Sequence, residues 1–317
     1  MAPEIHLLSS PRWKDYELLD SGDGLKLERF GPYSFIRPEV QALWRPSLPA
    51  ASWDSAHAVF QPSGEESGGH WAVKKKIPEQ WEMTYTLPHY ASKESGTVSE
   101  LNQELHFFVM TTPGRHLGVF PECASHWDWM GEQIFNNNHS PVPPKTTLNI
   151  LNLFGYTGLA TLSCAAAGAK ITHVDASRKS VNWAHFNQDL SGLTDKPIRW
   201  IVDDALKFVE REARRGVKYD GIVLDPPKFG RGPKGEVWEV YKSLPRLLKA
   251  CRAVLSDQPL FVILTMYAVK LPAIHVYYAI SEMIKGLGGD LECGELVTEE
   301  KSAGRLLSQA VYARWNS

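Results

Sequence analysis

The sequence predicts an α/β protein built on a mostly parallel sheet, preceded by a smaller β-rich region. Three observations carry this. From residue 148 onward, short apolar runs near 148–153, 171–175, 198–202, 220–225 and 260–266 alternate with helical segments. Such alternation builds βαβ units with parallel strands. A glycine-bearing turn, Phe154-Gly155-Tyr156-Thr157-Gly158, lies between the first run and a helix of small residues, and Asp175 ends the second run 17 residues past Gly158. Residues 16–111, in contrast, alternate apolar and polar positions between glycine-rich turns, the period of strands.

The parallel part also carries the chemistry. Ligands of open α/β sheets bind at the carboxyl ends of the strands, and an acid at the tip of the second strand can bond a ribose. Asp175, followed by Ala176 and Ser177, occupies that tip. Gly155 and Gly158 let the backbone approach a ligand with no Cβ between them. Asp203, Asp204 and Ala205 follow the third run, where an acid can accept an adenine amino group. Asp225-Pro226-Pro227-Lys228-Phe229 follows the fourth. A nicotinamide site would show G-x-G-x-x-G, and this turn has one glycine fewer. No P-loop is present either. A nucleoside cofactor without a pyrophosphate, S-adenosylmethionine, fits this turn.

The stretch 148–270 resembles the class I adenosylmethionine-dependent methyltransferases. More closely, it is similar to the bacterial 23S ribosomal RNA large-subunit enzymes of the cytosine-5 type and their guanine-N7 relatives. The matching pieces are 151–158, 174–177, 203–208 and 225–229, with 118–122 resembling the segment those enzymes place before the cofactor domain. The resemblance implies a Rossmann-like class I methyltransferase sheet with an antiparallel last strand. It implies cofactor contacts from Glu122, Phe154, Gly155, Tyr156, Thr157, Gly158, Asp175, Ala176, Ser177, Asp203, Asp204, Ala205 and Asp225. It also implies RNA, ribosomal RNA first, as the acceptor.

Asp225, Pro226, Pro227 and Phe229 suit a planar base taken out of its stack. Two prolines fix the backbone. The aspartate and the first proline carbonyl accept from an exocyclic amine, and Phe229 stacks on the ring. Cytosine-5 transfer needs a cysteine nucleophile, and the family places it after the fifth strand. Here 264–270 reads Leu-Thr-Met-Tyr-Ala-Val-Lys. Cys164 and Cys251 fall inside predicted helices, as core residues do. Transfer to a ring nitrogen or exocyclic amine is therefore expected, with no cysteine nucleophile. The stretch 123–129 also lacks the arginines those relatives place there. A small-molecule or protein acceptor, and a non-catalytic binding module, are the competing readings.

Composition narrows the setting. Residues 1–145 hold 12 Lys/Arg against 18 Asp/Glu, and residues 146–317 hold 22 against 18, for a net charge of −2 overall. That balance is not the footprint of a strongly basic nucleic-acid binder. Basic residues do gather beside the presumed reaction site. Lys228, Arg231 and Lys234 follow Asp-Pro-Pro, and Lys242, Arg246, Lys249 and Arg252 lie on the next predicted helix. The first three are candidate phosphate contacts on a mobile glycine-bearing loop, 228–240. The four cysteines have no metal-ligand spacing, so neither a metal nor a disulfide framework is expected. With no signal segment and no membrane span, a cytoplasmic protein is expected.

The expected division is a β-rich domain over 1–120, for substrate recognition, a bridging segment over 121–147, and the methyltransferase domain over 148–317. Hairpins are expected at 16–30, at 58–73 around the turn 63–69, and at 105–120 around Thr112-Pro113-Gly114. Tryptophans 13, 44, 53, 71 and 81 are expected to fill a small β core. The bridge reads as a helix over 124–135, with tryptophans 127 and 129 packing or covering the cofactor, then a loop with prolines 141, 143 and 144. Residues 291–298 and 306–315 read as a closing antiparallel hairpin.

Overall fold

A computed structural model describes residues 2–10, 12–63, 68–90, 103–139, 147–267 and 271–317. The proline-bearing loop, part of the 63–69 turn and residues 268–270 lie outside them. The N-terminal half holds β1 (Ile5–Leu8), β2 (Tyr16–Gly22), β3 (Leu25–Phe30), β4 (Tyr33–Pro38), α1 (Ala50–Asp54), β5 (Ala58–Pro62), β6 (Gly69–Val73), β7 (Trp81–Thr86) and β8 (Glu104–Val109). A 3-10 turn, Pro121–Cys123, leads into α2 (Ala124–Asn138). The second half alternates as expected: β9 (Asn149–Leu153), α3 (Leu159–Ala166), β10 (Lys170–Asp175), α4 (Arg178–Leu190), β11 (Ile198–Val202), α5 (Ala205–Arg214) and β12 (Gly221–Leu224). A short hairpin, β13 (Phe229–Arg231) and β14 (Val237–Glu239), precedes α6 (Val240–Val254), β15 (Phe261–Met266), α7 (Ala273–Met283), β16 (Asp290–Glu299) and β17 (Leu306–Asn316).

The large sheet has the order β1-β16-β17-β15-β12-β9-β10-β11. Strands β9 to β12 and β15 run parallel, and β17 enters antiparallel beside β15, as the family resemblance implied. Strand β12 is buried on every residue, the pattern of a sheet covered on both faces. β1 comes from the N-terminal stretch yet pairs with β16 at the far edge.

One apolar cluster joins Phe30, Phe35, Met83 and Phe107 of the N-terminal strands to Met130 of α2, Leu162 of α3, and Ile150 and Phe261 of the large sheet. A second cluster fills the opposite face, between Leu151, Ile222 and Val262 and helices α5, α6 and α7. Tryptophans 13, 71 and 81 pack in or against the first cluster, and Trp53 against a smaller one. Trp81 stacks on Phe35 with centroids 5.6 Å apart.

One expected hairpin is reduced to a single backbone bond, from the Met110 amide to the Leu117 carbonyl at 3.1 Å. β8 pairs with β7, not with 116–120. The other edge of β8 is taken by α4: Asn187 accepts from the Phe108 amide at 3.0 Å, Trp183 donates to the Phe108 carbonyl at 3.1 Å, and Ser191 accepts from the His106 amide at 3.0 Å. Side chains thus satisfy the groups a hairpin partner would have used. Residues 116–120 turn instead toward the glycine turn. No helix among the described residues is long and apolar enough to cross a membrane.

Candidate donor site at the carboxyl edge of the sheet

The turn after β9 is built under strain. Phe154 and Tyr156 take left-handed φ of 59° and 48°, and Gly158 takes 87°. For Phe154 and Tyr156 such conformations cost on the order of 1–3 kcal/mol each and persist only where the surroundings fix them, whereas glycine adopts them freely. Those surroundings are visible. The Tyr156 amide donates to Asp175 at 3.0 Å, and the Tyr156 hydroxyl meets His116 Nδ1 at 3.1 Å. Thr157 donates to the Gly118 carbonyl at 2.7 Å, and Asn187 donates to the Thr157 carbonyl at 2.9 Å. The Phe154 ring lies 5.0 Å from Trp238.

The two glycines serve packing more directly than expected. A Cβ on Gly155 would sit 2.4 Å from His173 Cε1, and one on Gly158 would sit 2.7 Å from the Ala184 Cβ. The close approaches that demand glycine are to β10 and α4 of the protein itself. Beneath the turn runs a buried polar chain: Asn152 donates to Thr161 at 2.9 Å, and Thr161 meets His173 Nδ1 at 2.9 Å.

At the end of β10, Asp175 accepts from Tyr156 N on one oxygen and from Ser177 N, at 2.8 Å, on the other. Burial raises its pKa against the pull of these two amides. Ser177 caps α4 by accepting from Ser180 N. After β11, both acids have partners within the protein. Asp203 accepts from Arg211 at 2.7 Å and from Asp204 N at 2.9 Å. Asp204 caps α5 through Lys207 N at 2.9 Å, and Ala205 begins that helix, buried.

Asp225 follows β12. It is half-buried, and its carboxyl is pushed up to about 8 by desolvation first and by the neighbouring Glu122 second. Glu122 is itself buried, with its pKa raised mainly by that burial. Pro226 is buried and Pro227 exposed. The Pro227 carbonyl accepts from Trp238 Nε1 at 2.7 Å. Among the described residues none donates to the Pro226 carbonyl. Phe229 is 54% exposed, just beyond.

The loop 228–240 is an ordered hairpin, β13 paired with β14. Trp238, 4% exposed, anchors it, and Lys207 bonds Glu236 in its connecting turn at 2.7 Å. Lys228, Arg231 and Lys234 sit on this hairpin. On α6, Lys242 pairs with Glu239 and Arg246 with Glu210, each at 2.6 Å, so two of the basic residues there face acids.

Asn152, the turn 154–158, Val223, Asp225 and Thr265 line one cleft with Cys123, His126, Trp127 and Met130 of the 3-10 turn and α2. Sequence reasoning missed these last contributors, apart from an undecided role for Trp127. Their signal was the 123, 126, 127, 130 spacing, which is one helix face. Trp129 instead packs on Phe261. Cys123 Sγ meets the Tyr267 hydroxyl at 2.8 Å, and its thiol is pushed well up by burial, then by Asp225 and Glu122. Cys164 and Cys251 are buried in α3 and α6. Among the described residues no three metal-ligating side chains converge.

The donor set suits S-adenosylmethionine. Asp175 does not itself line the cleft but holds the Tyr156 amide of the turn that does, Asp225 with its raised pKa lines it directly, and the buried His126 ring lacks hydrogen-bond partners on both nitrogens.

Comparisons with known proteins agree with this geometry. No family model matches the chain. Over 110 residues it is 36% identical to the ribosomal RNA large subunit methyltransferase K/L of Shewanella frigidimarina, a match covering 34% of this chain and 15% of that protein. The enzyme of the same name from Shewanella loihica is 38% identical over 104 residues, 32% of this chain and 14% of that one. The chain thus spans a small fraction of the length of these curated relatives. A methyltransferase structure from Streptococcus mutans shares the fold at 15% identity and a TM-score of 0.65, over 96% of this chain and 76% of that one. The crystal structure of an S-adenosylmethionine-dependent methyltransferase from Agrobacterium tumefaciens is similar at a TM-score of 0.85. At 42% identity over 99% of this chain and 95% of that one, this likeness shows that the chain belongs to the S-adenosylmethionine-dependent methyltransferases.

Proposed function

We propose that the protein transfers a methyl group from S-adenosylmethionine to a nitrogen of an RNA base, with ribosomal RNA as the substrate. The observation that carries this is the Asp225-Pro226-Pro227 turn. It opens at the carboxyl end of β12 on the donor cleft, with an exposed aromatic ring, Phe229, beside it. The donor supplies an activated methyl on a sulfonium, so the protein's task is alignment of the acceptor.

In this reading the Asp175 carboxylate, oriented by two backbone amides, takes the ribose hydroxyls. Asp204 keeps one oxygen on its helix cap and offers the other to the adenine amine, since a carboxylate has about four acceptor positions. Glu122, the turn 154–158, Ala176, Ser177, Asp203 and Ala205 frame the rest of the donor. Asp225 and the Pro226 carbonyl accept from an exocyclic amine on the target base, and Phe229 stacks on its ring. Lys228, Arg231 and Lys234 hold the RNA backbone.

Nitrogen is favoured over cytosine C5 because the cysteine in the cleft is unsuited to attack. A thiolate is the nucleophile, and Cys123 is held as a thiol beside two acids. The ribosomal RNA acceptor rests on the names of the curated relatives and on the basic hairpin. The N-terminal strands, over 1–120, recognise the acceptor. A cytoplasmic setting, where ribosomal RNA is found, fits this role.

The test is transfer of labelled methyl groups from the donor into separated RNA, protein and small-molecule fractions. Label in RNA, lost in Asp225→Ala, supports the reading. Label confined to protein or small molecules overturns the acceptor.

A further inference from the structure

α2 brings into the donor cleft a side chain that the sequence did not single out. His126 is 3% exposed and lines the cleft with Asn152, Asp225 and Thr265. Neither Nδ1 nor Nε2 has a hydrogen-bond partner. Nearly all buried polar atoms are paired, and leaving one unpaired costs about 1–3 kcal/mol. Two such atoms in one ring, facing a cleft, mark a group whose partner is a ligand. Burial, with Arg314 nearby, holds the imidazole well below its usual pKa. The neutral ring keeps one N–H donor and one acceptor.

Position identifies the partner. Along the carboxyl edge the strands run β10, β9, β12, β15, β17. Asp175 ends β10, the glycine turn follows β9, Asp225 follows β12, and Thr265 belongs to β15. His126 packs edge-on against Tyr312 of β17, at 5.1 Å. In strand order it therefore lies on the β17 side of Asp225, while Asp175, which does not line the cleft but bonds the Tyr156 amide of the turn, lies on the β10 side. A donor with its ribose on Asp175 and its sulfonium beside Asp225 carries its amino-carboxylate end onward to His126. No lysine or arginine is among the described residues lining the cleft. A neutral imidazole N–H without a protein partner is thus a donor available to a carboxylate there.

We propose that His126 binds the methionine carboxylate of S-adenosylmethionine through one ring N–H. The proposal rests on this cleft being the donor site. It accounts for a feature that set the chain apart at the start, the lack of arginines in 123–129.

Calorimetric titration of the full chain with two ligands tests it. S-adenosylhomocysteine carries the amino-carboxylate. Methylthioadenosine keeps the adenosine and the sulfur but lacks that group. His126→Ala is expected to weaken S-adenosylhomocysteine at least about tenfold, as for a lost charge-assisted hydrogen bond, and to leave methylthioadenosine unchanged. His126→Asn, which keeps an N–H donor, is expected to recover part of the loss. His126→Phe fills the space without a donor and makes the same comparison if the alanine variant fails to fold. Equal losses for both ligands, or no loss for either, overturn the proposal and leave the ring a packing group over trapped water. Failure of the cleft as donor site reads differently. In that case Asp175→Ala leaves both affinities unchanged, whatever His126 does.

Discussion

Asp225 is the residue whose protonation state links stability to chemistry. Its folded pKa, about 8, lies far above the ordinary 3.8. Between these values the folded state holds a proton that the unfolded chain has released, so stability falls as pH rises from about 4 to 8 and is flat above that. Asp225→Asn, which cannot ionise, removes this slope. Thermal melts across that range are expected to show the variant gaining on the wild type as pH rises. Parallel melting profiles would mean that the carboxyl titrates normally. A bound sulfonium favours the ionised form. Affinity for S-adenosylmethionine relative to S-adenosylhomocysteine is therefore expected to rise with pH toward 8 in the wild type and to stay flat in Asp225→Asn. Cys123 gives the complementary test. Its thiol bonds Tyr267 and is held protonated, so Cys123→Ser is expected to keep most of the wild-type kcat. Loss of turnover with donor affinity intact would return the cysteine to a nucleophilic role. That Cys123 lines the same cleft as Asp225 was not legible, because 102 residues separate the two and no local pattern marks their meeting.

At the scale of elements, the donor turn and the hairpin after Asp-Pro-Pro form one mechanical unit. Phe154 of the turn packs on Trp238 of the hairpin, and Trp238 donates to Pro227. The strands, the turn and the acids at the strand tips were legible because each is local: an apolar run, a short loop, an acid just past it. The hairpin over 228–240 was not legible as structure. Its glycines and charges read as a loop, while its order comes from a buried tryptophan and the Lys207–Glu236 pair. The expected hairpin at 105–120 failed for a similar reason, since the edge of β8 is capped by Asn187, Trp183 and Ser191, about 80 residues on. Neutralising Lys228, Arg231 and Lys234 together is expected to leave S-adenosylhomocysteine affinity unchanged, weaken RNA binding and flatten its salt dependence, because phosphate contacts release counterions. An unchanged salt slope would reduce the hairpin to a cover for the donor cleft.

For the whole molecule, charge and core tell different stories. The N-terminal 145 residues are acidic and the remainder basic, yet one apolar cluster runs through both. β1 pairs with β16 on the large sheet, and Lys301 at the closing hairpin bonds Glu17 of β2 at 2.6 Å. Such long-range pairings leave no local mark, so composition divided the chain more sharply than its packing does. The acceptor claim is best tested on the product. Ribosomal RNA labelled by the wild-type protein is digested to nucleosides, and the position of the methyl group is read by mass spectrometry. Label on a base nitrogen, abolished by Asp225→Ala, is the result expected from a cleft with a protonated thiol and a Pro-Pro-fixed carbonyl. Label in 5-methylcytidine, or labelled nucleosides that persist in Asp225→Ala, would contradict it.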